Sequence, residues 1–421
     1  MVKLTNSTQI VLDRPLTQDE ASWIVSVLFL SGGLGFILSS YLVDSIGSKY
    51  CVIFSGVTRL VSALLFIFAR EVWMLLLGRC INGLSEGLLV AAVPVYSSEI
   101  ASKEIRGALG TMLQIFASIG SVIMLSVGPF VSYFYLNLMY IILIVFISIP
   151  TVFLPDSPQF LYSKGKHEES RKVLIYLRGS EFLADEELKL LSANNNVKLN
   201  LISTFTNKTF LSSIMIAAFV VVSIHFSGFN CVLTYLQTIL NLTHTNLKSE
   251  MGSVVIGVIQ VTAAFSTMLI TDKFGRKPIL VVSAGGMALG MIGLGTFFKL
   301  QESEVEITGF LNFLPLISLI IVVYCYSAGL GSLLWVLLAE LFDDHSRGVG
   351  VSTALLIGVL PSFVTVRYFT AVTEAVGEPA TFWFSSAVCL VLAAFILYQV
   401  PETKGRTFKE IQDALKGEGN S

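Results

Sequence analysis

Two charged strings recur in the two halves of the chain with matching spacing. Asp44–Lys49 is repeated as Asp272–Lys277, and the Glu-x6-Arg-Gly string of Glu99–Gly107 is repeated as Glu340–Gly348. Carboxylates and guanidiniums at helix ends can form charge-assisted hydrogen bonds that latch two helix bundles in one state and part in another. A plain excess of basic residues on one side of the protein is the alternative. It would not reproduce the same spacing twice, so we favour the latch.

A third string, Pro155–Pro158, has a looser echo in Pro401–Lys404. Three strings occur in the same order in both parts of the chain, separated from their repeats by similar numbers of residues. This pattern predicts two homologous halves. The predicted latch residues are Asp44, Glu99, Arg106, Asp272, Arg276, Glu340, Arg347 and Glu402.

Three further charges, Arg59, Arg79 and Glu86, lie inside long apolar stretches, where charged side chains are costly and usually functional. Arg79 and Glu86 share a helix face about 10 Å apart, which allows a proton relay. Glu86 can instead pair with Arg59 on the preceding stretch, and we favour that pairing. Arg367 lies near the end of a later stretch and is expected to extend its head group to the membrane surface.

The elements that position these residues follow from composition. Hydrophobic residues make up 54% of the 421 residues and charged residues 13%, with a net charge of -2, whereas soluble domains carry about 25% charge. This excludes a disordered chain, a nucleic-acid binder and an ordinary cytosolic enzyme, and predicts an all-α polytopic membrane protein. Eleven spans are expected: 22–43, 50–69, 73–97, 107–129, 133–154, 210–239, 251–271, 278–298, 309–339, 348–369 and 379–400.

Most of the 27 Lys and Arg residues fall on alternate connections, which include all six charged strings. The positive-inside rule makes that side cytoplasmic, with the N-terminus outside, and makes the halves parallel repeats. We expect four parts: an N-terminal bundle (1–154), a cytoplasmic linker (155–208) with a short amphipathic helix over 166–177, a C-terminal bundle (209–400) and a cytoplasmic tail (401–421).

Other chemistries find little support in the sequence. The five cysteines all fall in predicted spans, which favours packing over disulfides or a metal site. There is no Walker-type phosphate loop, so ATP-driven transport is not expected, nor is any cofactor. Of three N-x-[ST] sequons, the predicted topology exposes Asn6 and Asn241 to glycosylation and leaves Asn207 inside.

Several strings together resemble the sugar porter family of the major facilitator superfamily, and within it most closely the facilitated trehalose transporters of insects. They are Gly78-Arg79, Pro94–Glu99, Pro155–Pro158, Ser227–Asn230, Asp272–Lys277, Trp335–Glu340 and Pro401–Arg406. The family has two six-helix bundles, and its second helix precedes the motif found here at Asp44–Lys49. The resemblance therefore implies about 11 transmembrane helices, equivalent to the family's second to twelfth. A truncated gene model and a real short isoform both remain open.

The resemblance also implies a sugar site. Sugars are held by amides, which donate and accept hydrogen bonds, and by aromatic faces. Gln114, Asn230, Gln260 and Trp335 match the family's binding positions or can serve there; for each, the less favoured alternative is an amide or indole satisfied by helix packing. His225, which can bond a hydroxyl, replaces one of two family glutamines.

Four further departures weaken the match. Ile224 replaces the other glutamine, and Gly358-Val359 stands where an Asn-Trp pair is expected. Gly331–Trp335 lacks two prolines that break the helix in relatives, so a stiffer helix is expected. Ser48 replaces an arginine, which predicts a weaker N-terminal latch.

We therefore expect a plasma-membrane carrier that moves a sugar, a hexose or a trehalose-like disaccharide, by alternating access and without energy input. A non-transporting sensor or inactive paralogue is one alternative. A carrier of a non-sugar small solute is the other.

Overall fold

A computed structural model of the chain describes residues 14–102, 106–128, 130–194, 201–242, 249–305, 309–342, 346–404 and 410. Their secondary structure is helical, with no strand in these ranges. The helices are α1 Gln18–Ile46, α2 Ser48–Ile67, α3 Val72–Ile100, α4 Arg106–Val127, α5 Tyr133–Phe153, α6 Pro158–Ser163, α7 His167–Arg178, α8 Glu181–Asn194, α9 Leu201–Thr206, α10 Lys208–Phe226, α11 Phe229–Thr234, α12 Leu236–Leu242, α13 Ser249–Phe274, α14 Arg276–Glu302, α15 Leu314–Ala328, α16 Leu330–Glu340, α17 Arg347–Val376 and α18 Glu378–Gln399.

The prediction of a polytopic helical membrane protein is confirmed. Over the described residues, 10 helical segments are long and apolar enough to cross a membrane. The eleventh predicted span corresponds to α4, in which Ile115–Val127 is a shorter apolar stretch. Most predicted boundaries agree to within a few residues, because the charged residues that bound the spans also lie at the helix ends.

Two predicted spans are each interrupted by a break that the sequence analysis missed. Span 210–239 breaks at Gly228, whose φ of 80° is left-handed and suits glycine, and where a Cβ atom would lie 2.7 Å from Ser385 Oγ. Span 309–339 breaks at Gly329, between α15 and α16. Ser283 stabilises this second break, since its hydroxyl donates to the carbonyl of Cys325 (2.7 Å) and accepts from Leu330 N–H (3.0 Å). The expectation of a stiffer helix without prolines was therefore wrong.

Helices α1 to α5, called the N-half, are joined by close glycine contacts. A Cβ atom at Gly83 of α3 would lie 2.3 Å from the carbonyl oxygen of Leu28 in α1, and one at Gly87 would lie 2.1 Å from that of Gly32. Small residues four apart let membrane helices approach backbone to backbone, where dispersion rather than water exclusion drives packing. The sequence of α3 thus fixes its contact with α1.

Helices α10 to α18, called the C-half, surround a larger apolar core. Buried side chains from α10, α14, α15, α16 and α18 meet there, with the rings of Phe298 and Phe382 stacked at 5.5 Å. Gly290 of α14 packs on α15, where a Cβ atom would lie 2.8 Å from the carbonyl oxygen of Ser318. This core holds α10, α15 and α17 in place around the residues described below.

Between the halves, α6 to α9 lie in a charged segment, residues 155–208, with eight basic and seven acidic residues. The predicted amphipathic helix over 166–177 is confirmed as α7. Its Arg178 pairs with Glu187 (2.7 Å) and donates to the carbonyls of Ile100 (2.9 Å) and Ala101 (3.2 Å). Because the last carbonyls of a helix lack partners within it, this arginine attaches the connecting helices to the end of α3. We call this end of the molecule the basic end.

Candidate functional site

His225, in the last turn of α10, joins three helices. Its Nδ1 atom lies 3.0 Å from the amide nitrogen of Asn230 on α11 and 2.9 Å from the hydroxyl of Ser362 on α17. The structure thus brings together two residues that the sequence analysis selected, His225 and Asn230. It adds Ser362, which lies 137 residues away in sequence and which no motif indicated.

Gly358, one turn before Ser362, makes room for the imidazole. A Cβ atom at this position would lie 2.5 Å from Val221 Cγ1 and 3.0 Å from His225 Nε2. Contacts under 3.0 Å require the neighbours to shift, so a larger residue here is incompatible with the ring as it stands. The departures from the family pattern at 225 and 358 therefore form one packing unit.

Gln260 presents a buried polar atom without a partner. It lies on α13 with 7% of its surface exposed, and its Oε1 atom accepts no hydrogen bond from any described residue. Farther along α13 the hydroxyl of Thr267 donates to the carbonyl of Ala328 (2.9 Å), beside the break that leads into α16. A buried acceptor left unpaired costs about 1–3 kcal/mol, so Gln260 is suited to bind a hydroxyl or amide donor.

The other predicted binding residues lie on separate helices. Trp335 lies on α16 with 38% of its surface exposed, so its indole is accessible. Gln114 belongs to α4, but its side chain lies outside the described residues. No hydrogen bond or ring contact among the described residues links Gln260 or Trp335 directly to His225, whose side-chain bonds go to Asn230 and Ser362. An aromatic pair that the sequence did not indicate, Phe229 and Tyr326, stacks at 3.4 Å between α11 and α15.

The charged residues inside the N-half form the pairing that we favoured. Arg59 of α2 and Glu86 of α3 make an ion pair, with 22% and 47% of their side chains exposed. Arg79 lies 5.6 Å from the ring centre of Phe66 instead of meeting Glu86. Nearby, the hydroxyl of Tyr140 on α5 donates to the side-chain oxygen of Asn82 (3.3 Å). Arg59 and Glu86 thus neutralise each other between adjacent helices.

At the basic end the N-half has its own contacts. The hydroxyl of Ser48 donates to Glu99 (2.7 Å), and Lys49 pairs with Asp156 (3.1 Å). Asp44 lies exposed in the last turn of α1. Arg106 begins α4, and its side chain lies outside the described residues. The hydroxyl of Ser48 therefore gives Glu99 a neutral donor at the position where an arginine would give it a cation.

The C-half has a stronger arrangement at the same end. Arg276 pairs with Glu340 (3.3 Å), and Glu402 accepts hydrogen bonds from the backbone N–H groups of Arg276 (2.9 Å) and Lys277 (3.1 Å) at the start of α14. A helix N-terminus stabilises an anion in this position. The side chain of Asp272 lies outside the described residues, and Arg347 begins α17. None of these contacts joins α1–α5 to α10–α18, whereas the predicted latch joined two bundles.

The ion pair and ring contacts that described residues make between the halves lie toward the opposite end, while α4 also packs against α13 and α16. Arg367 of α17 pairs with Asp19 of α1, and its guanidinium lies 4.9 Å from the ring centre of Trp23. The ring of Phe363 lies 5.7 Å from Trp23. Only 12% of the Arg367 side chain is exposed, so the expectation that it extends to the membrane surface was wrong: the ion pair and the indole hold it between the halves.

The two predicted glycosylation sites differ in what the structure describes. Asn6 lies outside the described residues. Asn241 lies exposed in the last turn of α12, which is apolar.

Comparison with known proteins gives consistent matches. A family model described as sugar (and other) transporter matches residues 3–415. The facilitated trehalose transporter Tret1 of Polypedilum vanderplanki is 29% identical, over 99% of this chain and 83% of the relative. The facilitated glucose transporter member 6 of solute carrier family 2 from Mus musculus is 30% identical, over 98% and 85%. The inward-open xylose transporter XylE from E. coli has a TM-score of 0.77 at 22% identity, covering 94% of this chain and 89% of that one, which shows a shared fold.

Proposed function

The chain belongs to the sugar (and other) transporter family and has the fold of the major facilitator superfamily, and we propose from this that it carries a sugar across a membrane. The solute is a hexose or a trehalose-like disaccharide, moved down its gradient without a cofactor or ATP. The relatives are transporters and not enzymes, and we extend that to this chain.

The observation that carries this proposal is the unpaired Oε1 atom of Gln260. A sugar offers many hydroxyl donors, and one of them would remove the penalty of this buried acceptor. Asn230, His225 and the partly exposed Trp335 supply further polar groups and an aromatic face. Gln114 completes the proposed set.

The places where the halves meet support transport by alternating access. We assign the basic end to the cytoplasm by the positive-inside rule, which puts the Asp19–Arg367 pair outside. The contacts between halves at the outer end, together with the pairs at the basic end, none of which joins the halves, represent a state closed to the outside. Rocking of the halves would break the outer contacts and join the basic ends, where the charged strings would then form the latch between bundles.

The imidazole of His225 favours one second candidate, a carrier of a non-sugar solute, because it stands where relatives carry an amide. Uptake of labelled trehalose and glucose into proteoliposomes tests the first proposal, with Gln260→Leu as the variant and Gln301→Leu, near the end of α14, as its control. We expect saturable uptake of at least one sugar, reduced in Gln260→Leu only. Folded protein that moves neither sugar overturns the sugar proposal and leaves the second candidate or a non-transporting sensor.

A further inference from the structure

Helix α17 presents two neighbouring rows of residues to different partners. One row, Gly358 and Ser362, contacts His225 of the C-half. The other row is shifted by one residue: Val359, Phe363 and Arg367 contact α1 of the N-half. Residues four apart lie on one helix face, so a single rigid segment of about three turns carries both rows.

Two further hydrogen bonds join α17 to α11 and to Tyr235, the residue between α11 and α12. The thiol of Cys231 lies 3.5 Å from the carbonyl of Thr365, to which it donates, and the hydroxyl of Tyr235 donates to the carbonyl of Val366 (3.3 Å). With the contact between Ser362 and His225, these bonds fasten α17 to the segment that bears the proposed sugar ligands His225 and Asn230.

The second row meets α1 from its middle to its outer end. A Cβ atom at Gly33 would lie 2.9 Å from Val359 Cγ1, and Trp23 and Asp19 contact Phe363 and Arg367. These contacts close the two halves against each other. Any rotation or shift of α17 that alters the contacts of one row therefore alters the contacts of the other row.

We propose that Ser362 is a positioning residue that orients His225 for the solute and transmits solute binding, through α17, to the closure between the halves. The inference rests on the proposed transport function. Ser362 is buried, and its single hydroxyl hydrogen can donate either to the carbonyl of Gly358 (2.7 Å) or to Nδ1 (2.9 Å), two acceptors that hold its rotamer toward the ring. Because Nδ1 faces both Asn230 and Ser362, Nε2 is the ring nitrogen left for a sugar hydroxyl. In one tautomer it donates and in the other it accepts.

The test uses the full-length protein in proteoliposomes, with labelled trehalose and glucose as probes. Ser362→Ala is compared with Ser386→Ala, which removes another buried hydroxyl of the C-half that donates to the Ala288 carbonyl (3.0 Å). A second readout is the labelling rate of a thiol introduced by Ser22→Cys, a buried position near the outer end of α1, by a membrane-impermeant maleimide. Protein without that substitution gives the background from native cysteines.

We expect Ser362→Ala to raise the KM for sugar uptake by about fivefold or more, as for a lost hydrogen bond in a site. We also expect it to abolish any change that added sugar causes in the labelling rate of the Ser22→Cys thiol. The KM effect should vanish in a His225→Ala background, since residues acting as a pair are not additive. Ser386→Ala should change neither readout. Equal behaviour of the two serine variants, or additive effects with His225→Ala, would overturn the proposal. If the wild type shows no saturable uptake, the proposed function fails instead. Basal labelling, which should rise in Ser362→Ala, then still tests the link through α17.

Discussion

The guanidinium of Arg367 on α17 pairs with the carboxylate of Asp19 on α1 and lies over the indole of Trp23 on the same helix. A second contact follows the same route, since the side chain of Gln18 donates to Glu374 (2.6 Å). These residues join the first helix of the N-half to one of the last helices of the chain. In the proposed transport cycle these contacts would oppose opening at the end away from the basic connections.

Exchanging the charges of this pair tests its role. Asp19→Asn or Arg367→Gln alone should shift the equilibrium toward the open state by up to about fivefold, since a partly exposed ion pair contributes about 0.2–1 kcal/mol. The reversed pair, Asp19→Arg with Arg367→Asp, should restore part of the closed population. Labelling at Ser22→Cys measures the change. A reversed pair as open as the single variants would show that the contact between these charges does not stabilise closure.

Arg59 and Glu86 should be more sensitive to loss of one partner than to loss of both. Glu86→Leu leaves a cation between apolar helices, and we expect a loss of about 1–2 kcal/mol, less than for a fully buried pair because Glu86 is half-exposed. Arg59→Met with Glu86→Leu should recover much of that loss. Thermal unfolding of the detergent-solubilised protein ranks the stabilities of the wild type, the single variants and the double variant. A double variant less stable than either single variant contradicts this prediction.

Glu402 should stabilise the C-half through its negative charge. Burial raises the pKa of its carboxyl, but backbone N–H groups of Lys404, Arg276, Lys277 and Thr403 outweigh this, so the pKa lies below its ordinary value of 4.5. A lowered pKa means that the contribution is complete above the ordinary value and is lost as the pH falls through the folded-state pKa.

Glu402→Gln should therefore lower the thermal midpoint at pH 7, whereas Glu168→Gln, on the exposed first turn of α7, should not. The difference between wild type and Glu402→Gln should shrink as the pH of the unfolding measurement falls below the ordinary carboxyl pKa of 4.5 and through the lower folded-state pKa. A difference that stays constant over that range would mean that shape, and not charge, accounts for the effect.

Gly87→Ala should weaken the contact between α1 and α3. The new methyl would lie 2.1 Å from a backbone oxygen of Gly32, which cannot move without the helix, so we expect a loss of about 1–3 kcal/mol. Gly120→Ala is the control, because no atom lies within 4 Å of its Cβ position. Folded yield and thermal midpoint measure both variants. Equal folded yields and thermal midpoints for the two variants would show that α1 and α3 can move apart without loss of stability.

The membrane spans were predictable because the absence of charge over some 20 residues leaves few alternatives to a helix. The breaks at Gly228 and Gly329 were not, because glycine is common in membrane helices. What forces the break at Gly329 is a tertiary bond from Ser283. In relatives, two prolines signal a break in this helix. Their absence from this sequence predicted an unbroken helix, which was wrong.

The candidate site was only partly predictable for a similar reason. The pairing of Arg59 with Glu86 followed from two unlike charges on consecutive spans. Ser362 carried no such signal, since a serine in a membrane helix usually bonds its own backbone. Only the fold brings α10 beside α17 and shows that Gly358 and His225 share one space. The pairing of Arg367 with Asp19 likewise needs the two halves to be assembled.

The central claim, that the two halves alternate around a sugar site, is tested most directly by counterflow in proteoliposomes. Vesicles loaded with unlabelled trehalose or glucose receive the same labelled sugar at low concentration outside. An alternating-access carrier should accumulate label transiently above its equilibrium level, and Asn230→Ala should diminish this overshoot while Ser386→Ala preserves it. Label that only approaches equilibrium, at the same rate in loaded and empty vesicles, would contradict the account.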